Sequence, residues 1–242
     1  MKIINMIFDL FFPKICAGCG EHISFSSDFL CKSCRRSFDE EINVGCLGCG
    51  KPYHECGCKP HFLSGKTLIT TMPYKNENSV SRQLIISCKR KKNREIFDEL
   101  SENMAKALMK NGIGENYAVT FTPRSPKAVE KCGFDQAEEL AKRIAKKIGV
   151  PFLRTAECKD TNTEQKLLKM ALRQDNAHKR FFVPKRRMQI INSSSFILVD
   201  DVVTSGATLN RCAELLYENG ASNVICLGAA RAIGDMQPKE QL

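Results

Sequence analysis

The chain has 242 residues, 13 cysteines, no tryptophan, and 37 basic against 27 acidic side chains, for a formal net charge of +10. That length holds one large α/β domain plus a small appendage and excludes several full domains; no apolar run reaches the ~20 residues of a membrane span. The basic excess lies wholly in residues 61–242, because residues 1–60 carry seven Lys/Arg and seven Asp/Glu. Such an excess suits nucleic acid or phosphorylated substrates, and equally a basic surface kept soluble by repulsion.

At the N-terminus, Ile3, Ile7, Leu10 and Phe11 fall at helical spacing, interrupted by Asp9 and closed by Pro13. This predicts a short amphipathic helix packed on the body, with a membrane-surface anchor as the alternative. The segment has no A-x-A-like cleavage site, so the expected compartment is a reducing cytoplasm, where paired cysteines hold metal more often than disulfides.

Four cysteine knuckles follow: Cys16/Cys19, Cys31/Cys34, Cys46/Cys49 and Cys56/Cys58, with CAGCG at 16–20 recurring as CLGCG at 46–50. The thirty-residue offset marks a duplicated unit. Each unit supplies four thiolates, the donor set of a closed tetrahedral structural Zn²⁺ site. Gly20 and Gly50 relax the turns that wrap the metal. Sequential use of the pairs gives two sites, Cys16, Cys19, Cys31, Cys34 and Cys46, Cys49, Cys56, Cys58; interleaved use is compatible with the same spacing. About sixty residues with few large aliphatics bury too little surface to fold unaided, so metal binding supplies folding free energy. A repeated array with no βαβ unit beside it argues against a redox C-x-x-C motif. Eight thiolates on two Zn²⁺ would leave a formal charge of −4, which disfavours nucleic-acid binding by this segment alone. His22, His54 and His61 are not needed as ligands.

Beyond it, Lys66–Tyr74 reads as a strand, Ser79–Cys88 and Arg94–Lys110 as helices, and Tyr117–Thr122 as a buried strand. Ala137, Leu140, Ala141, Ile144 and Ile148 mark a helix face ended by Gly149. Val150–Leu153 reads as a short strand and Glu164–Arg180 as a polar helical stretch. Phe196–Val199 has the length and β-branched content of a buried parallel strand, and Leu209, Cys212, Ala213 and Leu216 form a helix face stopped by Gly220. Asn223–Ala229 supplies a last strand. Alternation from residue 117 onward predicts a Rossmann-like parallel sheet flanked by helices.

The connection between strand and helix, Asp200-Asp-Val-Val-Thr-Ser-Gly-Ala-Thr208, carries the chemistry. A loop opening a helix presents backbone N–H groups to an anion. Gly206 permits positive φ, and Thr204, Ser205 and Thr208 add hydroxyl donors, with Val203 and Ala207 completing the turn. Asp200 and Asp201 sit where open α/β sheets bind ligands. Carboxylates there repel phosphate, so they suit ribose hydroxyls or Mg²⁺ held through water.

This pattern resembles the signature of type I phosphoribosyltransferases, and with the N-terminal cysteine array the chain as a whole is similar to the ComF family. Lys89, Pro123, Pro126, Gly133, Phe134, Gln136, Gln165, Leu168, Arg173, Asn176 and Phe181 match that family's motifs. The resemblance implies two regions: residues 1–62, the N-terminal helix plus double zinc ribbon, and residues 63–242, the transferase-like domain, with an acceptor hood within about 66–111. It also implies binding of 5-phosphoribosyl-1-pyrophosphate (PRPP) with Mg²⁺, the 5-phosphate on Thr204–Thr208, the ribose on Asp200 and Asp201, and the pyrophosphate near Arg124, Ser125 and Lys89. Phosphoribosyl transfer to an unnamed acceptor, in association with DNA uptake and competence, is the expected activity. The chain departs from the pattern at Cys132, where the family has Arg, at Asp135 for Asn, at Phe121 for Pro and at Asn162 for a basic residue. Arg-to-Cys removes a bidentate phosphate clamp, for which Arg124 or Lys131 could substitute.

The rival reading is an accessory protein for single-stranded DNA that keeps the fold without the chemistry. Lys89–Arg94, Lys142–Lys147 and Lys185–Arg187 would track a phosphate backbone, with strong salt dependence. Sparse aromatics around these runs argue against base stacking. A further alternative docks a helicase-like partner on the acidic cysteine segment.

Overall fold

The computed structural model describes residues 13–24, 28–43, 45–46, 49–60, 63, 65–74, 78–90, 92–160 and 180–232. The N-terminal helix expected around 3–11, His61, Asn162, Gln165, Leu168, Arg173 and Asn176, and all of the helical stretch expected at 164–180 except Arg180, lie outside these residues.

The cysteine-rich segment opens with the short antiparallel pair β1 (Lys14–Ile15) and β2 (His22–Ile23), followed by helix α1 (Lys32–Asn43). Next come β3 (Thr67–Tyr74), α2 (Val80–Arg90), α3 (Arg94–Lys110) and β4 (Ala118–Phe121). The chain continues through α4 (Pro126–Cys132) and α5 (Gln136–Ile148) to the small hairpin β5 (Glu157–Cys158) and β6 (Phe181–Phe182). It ends with α6 (Lys185–Ile191), β7 (Ser195–Val203), α7 (Ala207–Glu218) and β8 (Asn223–Ala232).

Four strands form one parallel sheet in the order β3-β8-β7-β4. The stretch expected as a strand at 150–153 reaches it by a single parallel bridge, Phe152 to Val119 beyond β4. Side chains alternate across the pleat. Ile69, Val119, Ile197, Val199, Ile225 and Leu227 therefore face one core, shared with α3 and α5. Leu68, Ala118, Phe196, Leu198, Val224 and Cys226 face the other, shared with Leu209, Cys212, Ala213 and Leu216 of α7. Burial on both faces is why these strands read as continuous apolar runs.

The first core does not stop at residue 63. Cys16, Phe29, Leu30, Cys34 and Phe38 belong to it, and α1 packs on α2 and β3. The Glu41 carboxylate accepts the Val80 and Ser81 N–H groups at 2.8 and 2.9 Å, at the positive end of α2. The segment 66–111, expected to furnish a hood, contributes β3 to the sheet edge and α3 to its face.

Candidate phosphate loop and cysteine clusters

β7 continues four residues past the predicted end, so Asp200 and Asp201 lie within its last turns of pleat rather than after it. The extension follows from pairing: Asp200 is opposite Gly228, and Val203 is opposite Arg231. The chain then turns through Thr204 and Ser205 to Gly206, whose φ of +78° caps α7 at its N-terminus. Only glycine takes that conformation without strain. The exposed Thr204 and Thr208 and half-buried Ser205 and Ala207 surround a helix start that presents its free N–H groups. Ser205 Oγ accepts the Ala207 N–H at 3.5 Å. Val203 is buried in the second core and contributes backbone alone.

The two carboxylates differ. Burial, and then the neighbouring Asp201 charge, push the Asp200 carboxyl well above the ordinary range; the Thr122 hydroxyl and the Asp201 N–H oppose that rise. Asp201 is paired at 3.1 Å with Lys89, carried by the last turn of α2. β4 delivers Thr122, Arg124 and Ser125 alongside, since Thr122 N–H bonds the Val199 carbonyl at 2.9 Å. Arg124 hydrogen-bonds Gln136 and lies 3.6 Å from Cys132 Sγ. Ser125 is the N-cap residue of α4, without a side-chain cap bond. The fold thus brings Lys89, Arg124, Ser125, Asp200, Asp201 and the 204–208 loop, scattered over 120 residues, to the carboxyl ends of adjacent strands.

Asp135, which stands where the ComF pattern has Asn, serves the backbone. Its carboxylate accepts N–H groups from Arg124 at 2.7 Å and Ala137 at 3.0 Å, and so caps α5. Burial holds its carboxyl above the usual range despite those bonds.

The cysteines gather as Cys16, Cys19, Cys31, Cys34 and as Cys46, Cys49, Cys56, Cys58, the sulfurs of each group within 4.8 Å of one another. Zinc–sulfur bonds of about 2.3 Å in a tetrahedron put sulfurs about 3.8 Å apart; Cys19 and Cys31 are 3.9 Å apart, and Cys49 and Cys56 3.4 Å. The sequence duplication is repeated in the backbone. Cys16 N–H bonds the Glu21 carbonyl as Cys46 N–H bonds that of Lys51, and Gly20 N–H bonds Cys16 as Gly50 N–H bonds Cys46. Gly20 and Gly50 have φ of +81° and +70°. Sulfur also accepts backbone N–H groups, Cys31 N–H on Cys16 at 3.2 Å and Cys58 N–H on Cys56 at 3.4 Å. The Cys16 thiol is pushed up by burial, but N–H donation from Cys31, Cys19 and Gly18 outweighs this and lowers it to about 6. Burial, and then hydrogen bonding to Cys49 and Cys56, raise Cys58 to about 12. Soft donors in this geometry fit Zn²⁺, and each cluster could hold one ion.

Sequence reasoning missed Arg231. It is 1% exposed and donates to Cys46 Sγ at 3.1 Å and Cys56 Sγ at 3.3 Å. An arginine closing an apolar strand reads as a solvated end, and no spacing links it to cysteines more than 170 positions away. It missed Leu63 as well, which packs against Gly206. Several residues of the basic runs are ion-paired: Lys92, Lys142, Arg143 and Lys147 with Glu139, Glu138, Asp98 and Glu102, and Arg186 and Arg187 with Glu157. No helix among the described residues is long and apolar enough to cross a membrane.

The model of the phosphoribosyl transferase domain matches residues 127–240. DNA utilization protein YhgH of Salmonella typhimurium is 25% identical over 224 residues, which cover 88% of this chain and 94% of the relative; the Salmonella typhi protein of that name matches equally. Among solved structures, glutamine PRPP amidotransferase from B. subtilis aligns with 55% of this chain and 26% of its own at 19% identity and a TM-score of 0.39. A hypoxanthine phosphoribosyltransferase from Staphylococcus aureus aligns with 59% of this chain and 71% of its own at 12% identity and a TM-score of 0.38.

Proposed function

We propose that the chain is a ComF-like protein of type I phosphoribosyltransferase fold that binds PRPP or a related ribose phosphate on the 200–208 segment. The observation that carries this is the run of adjacent carboxylates on β7 directly into a glycine-capped helix start. Thr204–Thr208 would take the 5-phosphate on backbone N–H and hydroxyl donors. Asp200 and Asp201 would accept from the ribose hydroxyls. Their oxygens also suit Mg²⁺, held through water, which when bound with PRPP would neutralise pyrophosphate charge. Lys89 and Arg124 would meet that pyrophosphate, Lys89 by leaving its pairing with Asp201.

We further propose transfer of the phosphoribosyl group to an acceptor whose identity is open. Displacement at the anomeric carbon breaks its bond to pyrophosphate through an oxocarbenium-like state. It needs positioning and charge stabilisation more than a covalent nucleophile. Anchoring the remote phosphate would align that carbon. Cys132 leaves Arg124 the sole guanidinium of this segment among the described residues. Calorimetry with PRPP and Mg²⁺ tests the reading: binding by the wild type, weakened at least tenfold in Asp200→Asn/Asp201→Asn, is expected. No heat of binding in the wild type would overturn it.

The name of the curated relatives favours a role in DNA use, and we place the protein in that process, with single-stranded DNA or a helicase-like protein as partner. DNA binding that survives the double Asp→Asn change and fades with salt would identify the DNA contact as separate from the loop. The ion pairs of Lys142, Arg143, Lys147, Arg186 and Arg187 predict that this contact is weak.

A further inference from the structure

Arg231 is the largest of the fully buried side chains. Its guanidinium donates to Cys46 Sγ and Cys56 Sγ, and at 2.5 Å to the Cys58 carbonyl. Its central carbon stands 5.4 Å from the centre of the Tyr53 ring. No carboxylate is bonded to it among the described residues. A buried guanidinium without an anion is strongly destabilising, and these cysteines answer its charge only as thiolates. Four converging thiolates in turn need a cation among them. Arg231 therefore fits as an outer partner of a metal-thiolate centre, reducing the −2 charge of Zn(Cys)₄ to −1.

Residues beside this cluster meet the phosphate loop at both ends. Arg231 is the register partner of Val203, which enters the loop. Pro60, two residues beyond Cys58, and the fully buried Leu63 meet the loop's glycine. A Cβ at Gly206 would stand 2.8 Å from Leu63 Cγ and 3.5 Å from Pro60 Cβ. The Leu63 N–H bonds the Pro60 carbonyl at 2.9 Å.

We infer that the Cys46–Cys58 cluster holds the 203–206 loop in its binding shape, with Arg231 as the positioning residue, so that metal occupancy of this cluster and anion binding at the loop are linked. Linkage is reciprocal: bound ligand slows metal loss as bound metal tightens ligand. The ligand half of this statement rests on the ribose-phosphate reading above; the metal-to-loop half does not.

The test uses the full chain loaded with Zn²⁺, as wild type, Arg231→Gln and Arg231→Lys. Competition with a chromogenic chelator should show one of two zinc equivalents weakened about 10–100-fold in Arg231→Gln, as outer-partner changes do, and partly restored in Arg231→Lys, which keeps the charge. Hydrogen exchange of the 204–208 amides should quicken in step with that loss. Wild-type zinc affinity at both equivalents in Arg231→Gln, or weakened zinc with unchanged exchange at 204–208, overturns the inference. If Arg231→Gln does not fold, full chelation of the wild type decides the matter: metal removal must quicken the 204–208 amides, and unchanged exchange refutes the link. A PRPP titration of the same samples separates the two readings. No binding by the wild type removes the ribose-phosphate reading, while zinc affinity and amide exchange still judge the link.

Discussion

Asp200 is held under strain that its proposed role explains. Its carboxyl keeps its proton far more tightly in the folded chain than in the unfolded one, because burial and Asp201 disfavour the charge. Ionisation therefore opposes folding. The penalty is absent below the unfolded value near about 4 and grows as pH rises toward the raised folded value. Asp200→Asn should accordingly raise the melting temperature at neutral pH by about 2–4 °C per kcal/mol relieved, and leave it unchanged near about pH 3, while losing PRPP affinity. Thermal melts of both proteins at the two pH values check this; equal melting at neutral pH would contradict it. At Gly206 the positive φ and the Leu63 contact act together. Gly206→Ala should cost about 1–2 kcal/mol from conformation alone, more from the clash, and chemical denaturation would measure it.

At the scale of elements, the connection between α4 and α5 shows how a departure from the ComF-like pattern is absorbed. Asp135 in place of Asn retains the cap on α5, because either side chain offers an oxygen to the Ala137 and Glu138 N–H groups. Asp135→Asn keeps that oxygen but puts an NH₂ group where the second oxygen accepts the Arg124 N–H, so it should cost about 1–3 kcal/mol, and Asp135→Ala, which loses the cap as well, about 0.5–2 kcal/mol more, as read from urea midpoints. Equal midpoints for Asp135→Asn and the wild type would mean that the Arg124 bond contributes little. The strands and long helices were legible in advance because period and composition are local. α3 runs over Arg94–Lys110 as its spacing predicts, with Asn93 capping it. α1 was not legible, since the eye follows the cysteines there and Phe38 alone marks its buried face beside Cys34. β7 ran past its apolar stretch because neighbouring β8 paired with it, a fact no local pattern contains.

For the whole molecule, the sequence divides near residue 62 and the core does not. Phe29, Leu30 and Phe38 share one apolar cluster with Leu84, Ile96 and Leu100. Asn111 also donates to the His54 carbonyl at 3.0 Å, tying the second cysteine cluster to the end of α3. The full chain should therefore unfold in one calorimetric transition, and zinc chelation should lower that transition as a whole. Two independent transitions would show separable units. A chain beginning at residue 63 should be less stable and aggregate, because it leaves the α2 and β3 surfaces under α1 open to water.

Taken alone, the sequence determined the parallel α/β class, the duplicated thiolate units and the acid-rich strand leading to a glycine-bearing helix start. Each is written in neighbouring residues, through strand and helix periods, knuckle spacing and the φ that glycine alone tolerates. Only the tertiary structure decided that Lys89 meets Asp201, that Asp135 caps a helix, and that Arg231 and Leu63 join a cysteine cluster to the loop. Those contacts form between segments far apart along the chain, where the packing of buried surface and the pairing of buried charge, not local propensity, select the partners.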